Sequence, residues 1–131
     1  MTERILVAYD RSSLGDLAVE TALQLARERT DAELHVLAIS QAAGNLPLRE
    51  QLNDDLIAFT HLGQRFGVAV DGTVLMAPDV ASVAAELTRR RIDRVVIARP
   101  AAPAGDAAID RLMDAAAAAA GVATIEVHEG A

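Results

Sequence analysis

The chain has no cysteine, no lysine and no tryptophan, and its only aromatics are one tyrosine and two phenylalanines. Without cysteine there is no disulfide, no thiolate nucleophile and no thiolate metal site. Without lysine there is no Schiff base and no Walker-type lysine for a phosphate. All twelve basic residues are arginine. So few rings leave the core to Val, Leu, Ile and Ala. No apolar run approaches membrane-spanning length, so no membrane partner is expected. The opening "MTERILVAYD" puts charges where a signal peptide needs apolar residues, which points to a cytoplasmic protein. The net charge of −7 argues against a general nucleic-acid binder, which carries a basic surface.

What is present is a regular alternation of short apolar runs and helical stripes. The run Arg4–Ala8 has no polar interruption and suits a strand buried on both faces. A helical face follows through Leu14, Leu17, Ala18, Thr21, Ala22, Leu25 and Ala26, with Ser13 and Asp16 spaced as a capping box. Ala32–Ser40 reads as a second buried strand. Pro47 fits the first turn of a helix whose stripe is Leu48, Leu52, Leu56, Phe59 and Phe66, closed by Gly67. Val68–Met76, with more polar interruption, reads as an edge strand. Asp79 caps a helix carrying Val80, Val83, Ala84 and Leu87. Arg94–Ala98 is a fourth strand, Asp106–Ala120 a last helix and Ala123–Val127 a fifth strand. The alanine run Ala115–Ala120 suits a helix packed on a sheet. The connections are too short for a second domain, so residues 1–131 form one α/β domain with a parallel sheet covered by helices on both faces. Ligands of such sheets bind beyond the carboxyl ends of the strands. That rim carries Tyr9 and Asp10, then Ile39 and Ser40, then the segment from Arg99 to Asp106.

Several chemistries fail on residue type or placement. His35, His61 and His128 lie in three different elements, so no metal site is expected. Asp54 and Asp55 are expected to face solvent. A phosphorylated receiver domain needs clustered acids after the first strand and a lysine after the fifth. This chain has a single acid at the first position and no lysine. Ser12 and Ser13 lie in no nucleophile-elbow pattern. No catalytic set emerges, and the expectation is a protein that is not an enzyme. The densest basic group is Arg89, Arg90, Arg91, Arg94 and Arg99, which suits a helix C-terminus and surface pairing.

In order and spacing, "ILVAYDRSSLGDLAVETALQLA", "AELHVLAIS" and "APDVASVAAELTRRRIDRVVIA" resemble the universal stress protein family from end to end. The resemblance implies a Rossmann-like, adenine nucleotide alpha hydrolase-like three-layer sandwich, with a five-stranded parallel sheet in the order 3-2-1-4-5. It also implies a homodimer, and the fifth strand, as an edge strand, is the expected contact. Glu126 and Glu129 would moderate uncontrolled pairing of that edge.

One branch of the family binds ATP through a signature after the fourth strand: Gly, two residues, Gly, nine residues, then Gly with Ser or Thr. Glycines let backbone N–H groups turn onto phosphates, and the hydroxyl adds a donor. Here Arg99 and Ala102 stand at the first two glycine positions, and Pro100 and Pro103 each remove a donor. Gly105 matches the last glycine only with residues dropped, and Asp106 stands at the hydroxyl. The resemblance is therefore to the branch without this signature: a non-enzymatic stress-response protein acting as a homodimeric protein-interaction module, with no cofactor. The alternative is an ATP- or AMP-binding regulatory switch with a degenerate phosphate loop. In that reading Ala8, Tyr9 and Ile39 match positions flanking the adenine, and Asp10 matches the family's aspartate beside the nucleotide. Arg99 would reach an anion. Each residue also has a structural reading: Asp10 satisfies loop amides, Tyr9 covers the rim, and Arg99 fills the old pocket.

Overall fold

In the computed structural model, residues 2–42, 44–99 and 108–128 are described. The elements run β1 (Glu3–Tyr9), α1 (Ser13–Glu28), β2 (Ala32–Ser40), α2 (Leu46–Phe66), β3 (Ala69–Met76), α3 (Val80–Arg89), β4 (Arg94–Arg99), α4 (Ala108–Ala120) and β5 (Ala123–His128). All four strand pairings are parallel, and the sheet order is β3-β2-β1-β4-β5, as the resemblance implies. β3 and β5 are the edges. The start expected for the last helix, at Asp106, lies outside the described residues.

The continuous apolar runs become the central strands. Ile5, Leu6 and Val7 are fully buried in β1, with Val36, Leu37 and Ala38 beside them in β2. Strand alternation then divides the core in two. Ile5, Val7, Leu34 and Val36 meet α1 and α2 on one face; Leu6, Leu37, Val95 and Ile97 meet α3 and α4 on the other. Each fully buried Val, Leu or Ile contributes about 1.5–3 kcal/mol. Met113, Ala116 and Ala117 seat α4, so the alanine run does pack against the core.

Helix ends follow local chemistry, with one correction. Ser12, not Ser13, caps α1: its Oγ accepts the Gly15 N–H at 3.0 Å. The buried stripe of α1 is accordingly rotated to Gly15, Ala18, Val19, Ala22, Leu23 and Ala26, and Leu14, Leu17, Thr21 and Leu25 sit at its margin. Asn45 caps α2, and Asp79 caps α3 by accepting from Ser82. Gly67 ends α2 at φ 71°, a left-handed conformation that glycine adopts without penalty. Phe66 is not part of the α2 core stripe. It is 41% exposed, and the Arg27 guanidinium lies 4.9 Å from its ring centroid.

Two glycines, easily passed over in the sequence, set the distance between α2 and β3. A Cβ at Gly63 would lie 2.8 Å from the Val68 carbonyl oxygen and closer still to the Val70 side chain. One at Gly72 would lie 2.6 Å from the Leu56 Cδ2. Helix and edge strand approach each other only because both side chains are absent.

Candidate functional site

The carboxyl rim begins where β1 ends. Tyr9 is 6% exposed and points to the α1–α2 side, where its ring meets Phe59 edge to face at 4.9 Å. Its hydroxyl donates to Asp55 Oδ2 at 3.1 Å. Burial first, and then that hydrogen bond, push the phenol up to about 12. Tyr9 is thus an α2-facing core residue with a satisfied hydroxyl.

The expectation that Asp55 faces solvent is corrected. Its side chain is only 25% exposed, and it also pairs with Arg11 Nε at 3.2 Å. Arg11 sits at φ 69°, in the left-handed region that side chains disfavour, and its Nη1 donates to Gln51. The β1–α1 loop is thereby fastened to α2 by charge and hydrogen bonds. Asp10 turns the other way. Its Oδ1 accepts from the backbone N–H of Ser12 at 3.1 Å and from the Ser12 hydroxyl. Gly15 leaves room for this, since a Cβ there would stand 2.8 Å from the same oxygen.

Ala8 and Ile39 are 8% and 1% exposed and belong to the cluster on the α3–α4 face. They lie on the opposite side of the sheet from the Tyr9 ring. The expected adenine neighbours are therefore not brought together as one set of side chains: Ala8 and Ile39 share a face, and Tyr9 leaves it.

Arg99, the last residue of β4, is the most heavily paired group of the rim. Its Nη1 and Nη2 bond Asp114 in a two-pronged pair at 2.6 and 2.8 Å. Nη1 also reaches Asp110 at 3.1 Å, and Nη2 reaches Glu126 at 3.0 Å. Those hydrogen bonds, Asp114 foremost, raise the guanidinium further above its ordinary value, and Arg99 in turn lowers the Asp114 carboxyl. One cation thus faces three carboxylates drawn from α4 and β5. A phosphate approaching Arg99 meets Nη1 and Nη2 donors already engaged and an excess of negative charge. Arg99 was expected at the rim, but its pairing with Asp110 and Asp114 was not, and Glu126 was expected only as a guard of the sheet edge. Asp110 and Asp114 stand four residues apart on one helix, a spacing that places both on one face and could have pointed to them. Pro100, Ala102, Pro103, Gly105 and Asp106 lie outside the described residues.

The sequence model of the universal stress protein family matches residues 1–58. The whole chain is similar in fold to solved universal stress proteins. One from Archaeoglobus fulgidus is 15% identical, with a TM-score of 0.68 over 95% of this chain and 92% of that one. The chain is universal stress protein-like. A second such structure, in complex with cAMP, is 16% identical, with a TM-score of 0.71 over 96% of each chain. A third, from Arabidopsis thaliana with AMP bound, is 15% identical, with a TM-score of 0.65 over 98% of this chain and 93% of that one. Comparison with curated proteins finds no match. The universal stress protein-like chain has no helix, among its described residues, long and apolar enough to cross a membrane. Nor do those residues contain a cluster of three or more His, Cys, Asp or Glu side chains able to hold a metal ion.

Proposed function

We propose that this chain is a non-enzymatic, cytoplasmic stress-response protein that acts as a homodimeric interaction module and does not bind ATP tightly. The observation that carries the reading is the pairing of Arg99 with Asp110, Asp114 and Glu126. At the end of β4, where the ATP-binding branch of the resembled family turns glycine amides onto phosphates, this chain supplies a neutralised cation and surplus carboxylates. A triphosphate does not fit such a rim. The dimer reading rests on β5, which among the described residues pairs only with β4, so that its outer edge could take a second copy.

Calorimetric titration with ATP and Mg²⁺ tests the first part. A flat titration supports the reading, and submillimolar binding that disappears in Asp10→Ala rejects it. Size-exclusion chromatography with light scattering tests the second, and a strictly monomeric mass at high concentration removes it.

A second reading is a regulatory switch that takes a nucleoside monophosphate. Two fold neighbours hold cAMP and AMP, which carry one phosphate rather than three. A single phosphate meets less repulsion at this rim. Titrations with AMP and cAMP that stay flat remove this alternative.

A further inference from the structure

The amino ends of the strands, at the opposite end of the sheet from the rim, hold a buried titratable group. His35 on β2 is 5% exposed and lies beside Leu6 of β1, on the face of the sheet that α3 and α4 cover. Its Nδ1 lies 2.6 Å from Oδ1 of Asp71, the residue in register with it on the edge strand β3. Burial lowers its pKa, and the Asp71 hydrogen bond offsets this only in part, so the ring is neutral at neutral pH. In the neutral tautomer Nδ1–H donates to Asp71 and Nε2 carries a lone pair. Nε2 is buried and finds no hydrogen-bond partner among the described residues. A proton placed there has no acceptor to point at, and a buried charged donor left unmet is costly.

The C-terminal turn of α3 closes over this ring. Arg90 donates to Glu86 at 2.8 Å and to Thr73 of β3 at 2.6 Å, and its Nη1 stands 3.8 Å from Asp71 Oδ2. Asp71 is thereby shared, with one oxygen on the imidazole and the other toward the guanidinium. Arg4 of β1 donates to the Arg90 carbonyl at 3.3 Å and pairs with Glu33 of β2 at 3.5 Å, while Arg89 pairs with Glu86 at 2.6 Å. The charged groups around the ring are thus Arg4, Arg89 and Arg90 against Glu33, Asp71 and Glu86. They balance while the ring is neutral. Protonation leaves a surplus positive charge beneath Arg90.

The elements around the ring differ in how firmly they are held. Leu6 and Leu37 belong to central strands paired on both sides. The α3 turn is tied down by polar contacts to an edge strand, and Asp71, one of the side chains that make them, is 71% exposed. A cavity of about 370 Å³ lined by the same side chains lies beside the ring and gives a hydrated imidazolium room. The α3 turn is the element that yields at least cost.

We propose that His35 is a proton-operated latch: uptake of one proton by its ring releases the C-terminal turn of α3 from β2 and β3 and leaves the central sheet closed. Leu87 and Ile92, buried in the closed form, then become an apolar surface exposed only in acid. The sign follows from the lowered pKa in the closed form. Closure is complete above the ordinary imidazole value of about 6.5 and weakens as pH falls from there toward the closed-form value. At pH 5.5 carboxylates remain ionised, so the imidazole is the group around this site that titrates. The latch is independent of the nucleotide question at the rim.

The test is NMR of the ¹⁵N-labelled full chain, with amide hydrogen exchange, divided by intrinsic rates, at pH 7.5 and 5.5. Protection of the Arg90 and Ile92 amides, which bond to Glu86 and Leu87 in the closed form, is expected to fall severalfold over that interval. One proton sets the limit of that change at about tenfold. Amides of Val95, Val96 and Ile97 in β4 keep their protection, and the His35 ring nitrogens titrate over the same interval as the loss. In His35→Gln, which keeps a donor for Asp71 and carries no titrating proton, the α3 amides lose their pH response. Four results overturn the proposal, and three of them need the wild-type chain alone: α3 protection that does not change with pH, a loss shared equally by β4, a ring titration that does not coincide with the loss, or an undiminished pH response in His35→Gln.

Discussion

Replacing Arg99 with methionine probes the carboxylate cluster directly. The variant keeps most of the side chain's length and removes four hydrogen bonds, to Asp114 twice, Asp110 and Glu126. The three partners differ in burial: Asp110 is 12% exposed, Asp114 43% and Glu126 50%. Exposed ion pairs are worth about 0.2–1 kcal/mol each, whereas stranding a buried charge costs about 3–5 kcal/mol. Asp110 lies toward the second case and the other two toward the first, so the expected loss at neutral pH is about 2–3 kcal/mol. The loss depends on pH with a definite sign. Arg99 holds the Asp114 carboxyl below its ordinary value in the folded state. Its contribution is therefore present above the unfolded carboxyl value of about 4 and disappears as pH falls through the folded one. Urea unfolding followed by circular dichroism, for both proteins at pH 7 and in the acid range, reads the effect. The gap between wild type and Arg99→Met narrows as the carboxylates protonate. A gap under about 0.5 kcal/mol at pH 7, the size of an ordinary surface substitution, refutes the reasoning, as does a gap of constant size across pH.

Gly63→Ala forces the Val70 side chain and the Val68 carbonyl away from α2 and destabilises by about 1–3 kcal/mol in urea unfolding; an unchanged midpoint would show that α2 and β3 do not meet this closely. Ser12→Ala loses the α1 cap at a cost of about 1 kcal/mol and Ser13→Ala does not, and the reverse order in thermal melts would restore the other assignment. The depressed pKa of His35 makes stability complete above the ordinary imidazole value of about 6.5 and lost as pH falls from there toward the folded value. Unfolding free energies at pH 7.5 and 5.5 check this, with a slope of up to about 1.4 kcal/mol per pH unit, and a flat profile contradicts it.

Most of the fold was legible because the sheet is parallel and buried. Strands covered on both faces have to be apolar throughout, and "ILVA", "AELHVLAIS" and "RVVIA" declare themselves without any need for alternation. Helix starts were legible to within a residue through Asp79 and, one position off, through the Ser12-Ser13 pair. The close approach of α2 to β3 was not legible, since Gly63 and Gly72 look like ordinary helix and strand residues until a neighbour presses on them. The rim was legible in its members and not in its pairings. Tyr9, Asp10 and Arg99 stand where the chain order puts them, but Asp55 arrives from α2 and Glu126 from β5. Those long-range contacts settle what each side chain has left to offer. The amino-end cavity was not legible at all. Its lining joins residues far apart in the chain: β2 and β3 set His35 in register with Asp71, and Arg4, Glu33, Arg89 and Arg90 line the same cavity of about 370 Å³ at the amino ends of the strands.

Whether the rim at Arg99 accepts a polyphosphate is tested most directly by mass spectrometry of the small molecules released when the freshly purified protein is denatured. No adenosine triphosphate is expected in that fraction. ATP released in near one-to-one ratio with the chain would contradict the reading of this rim as closed to a triphosphate.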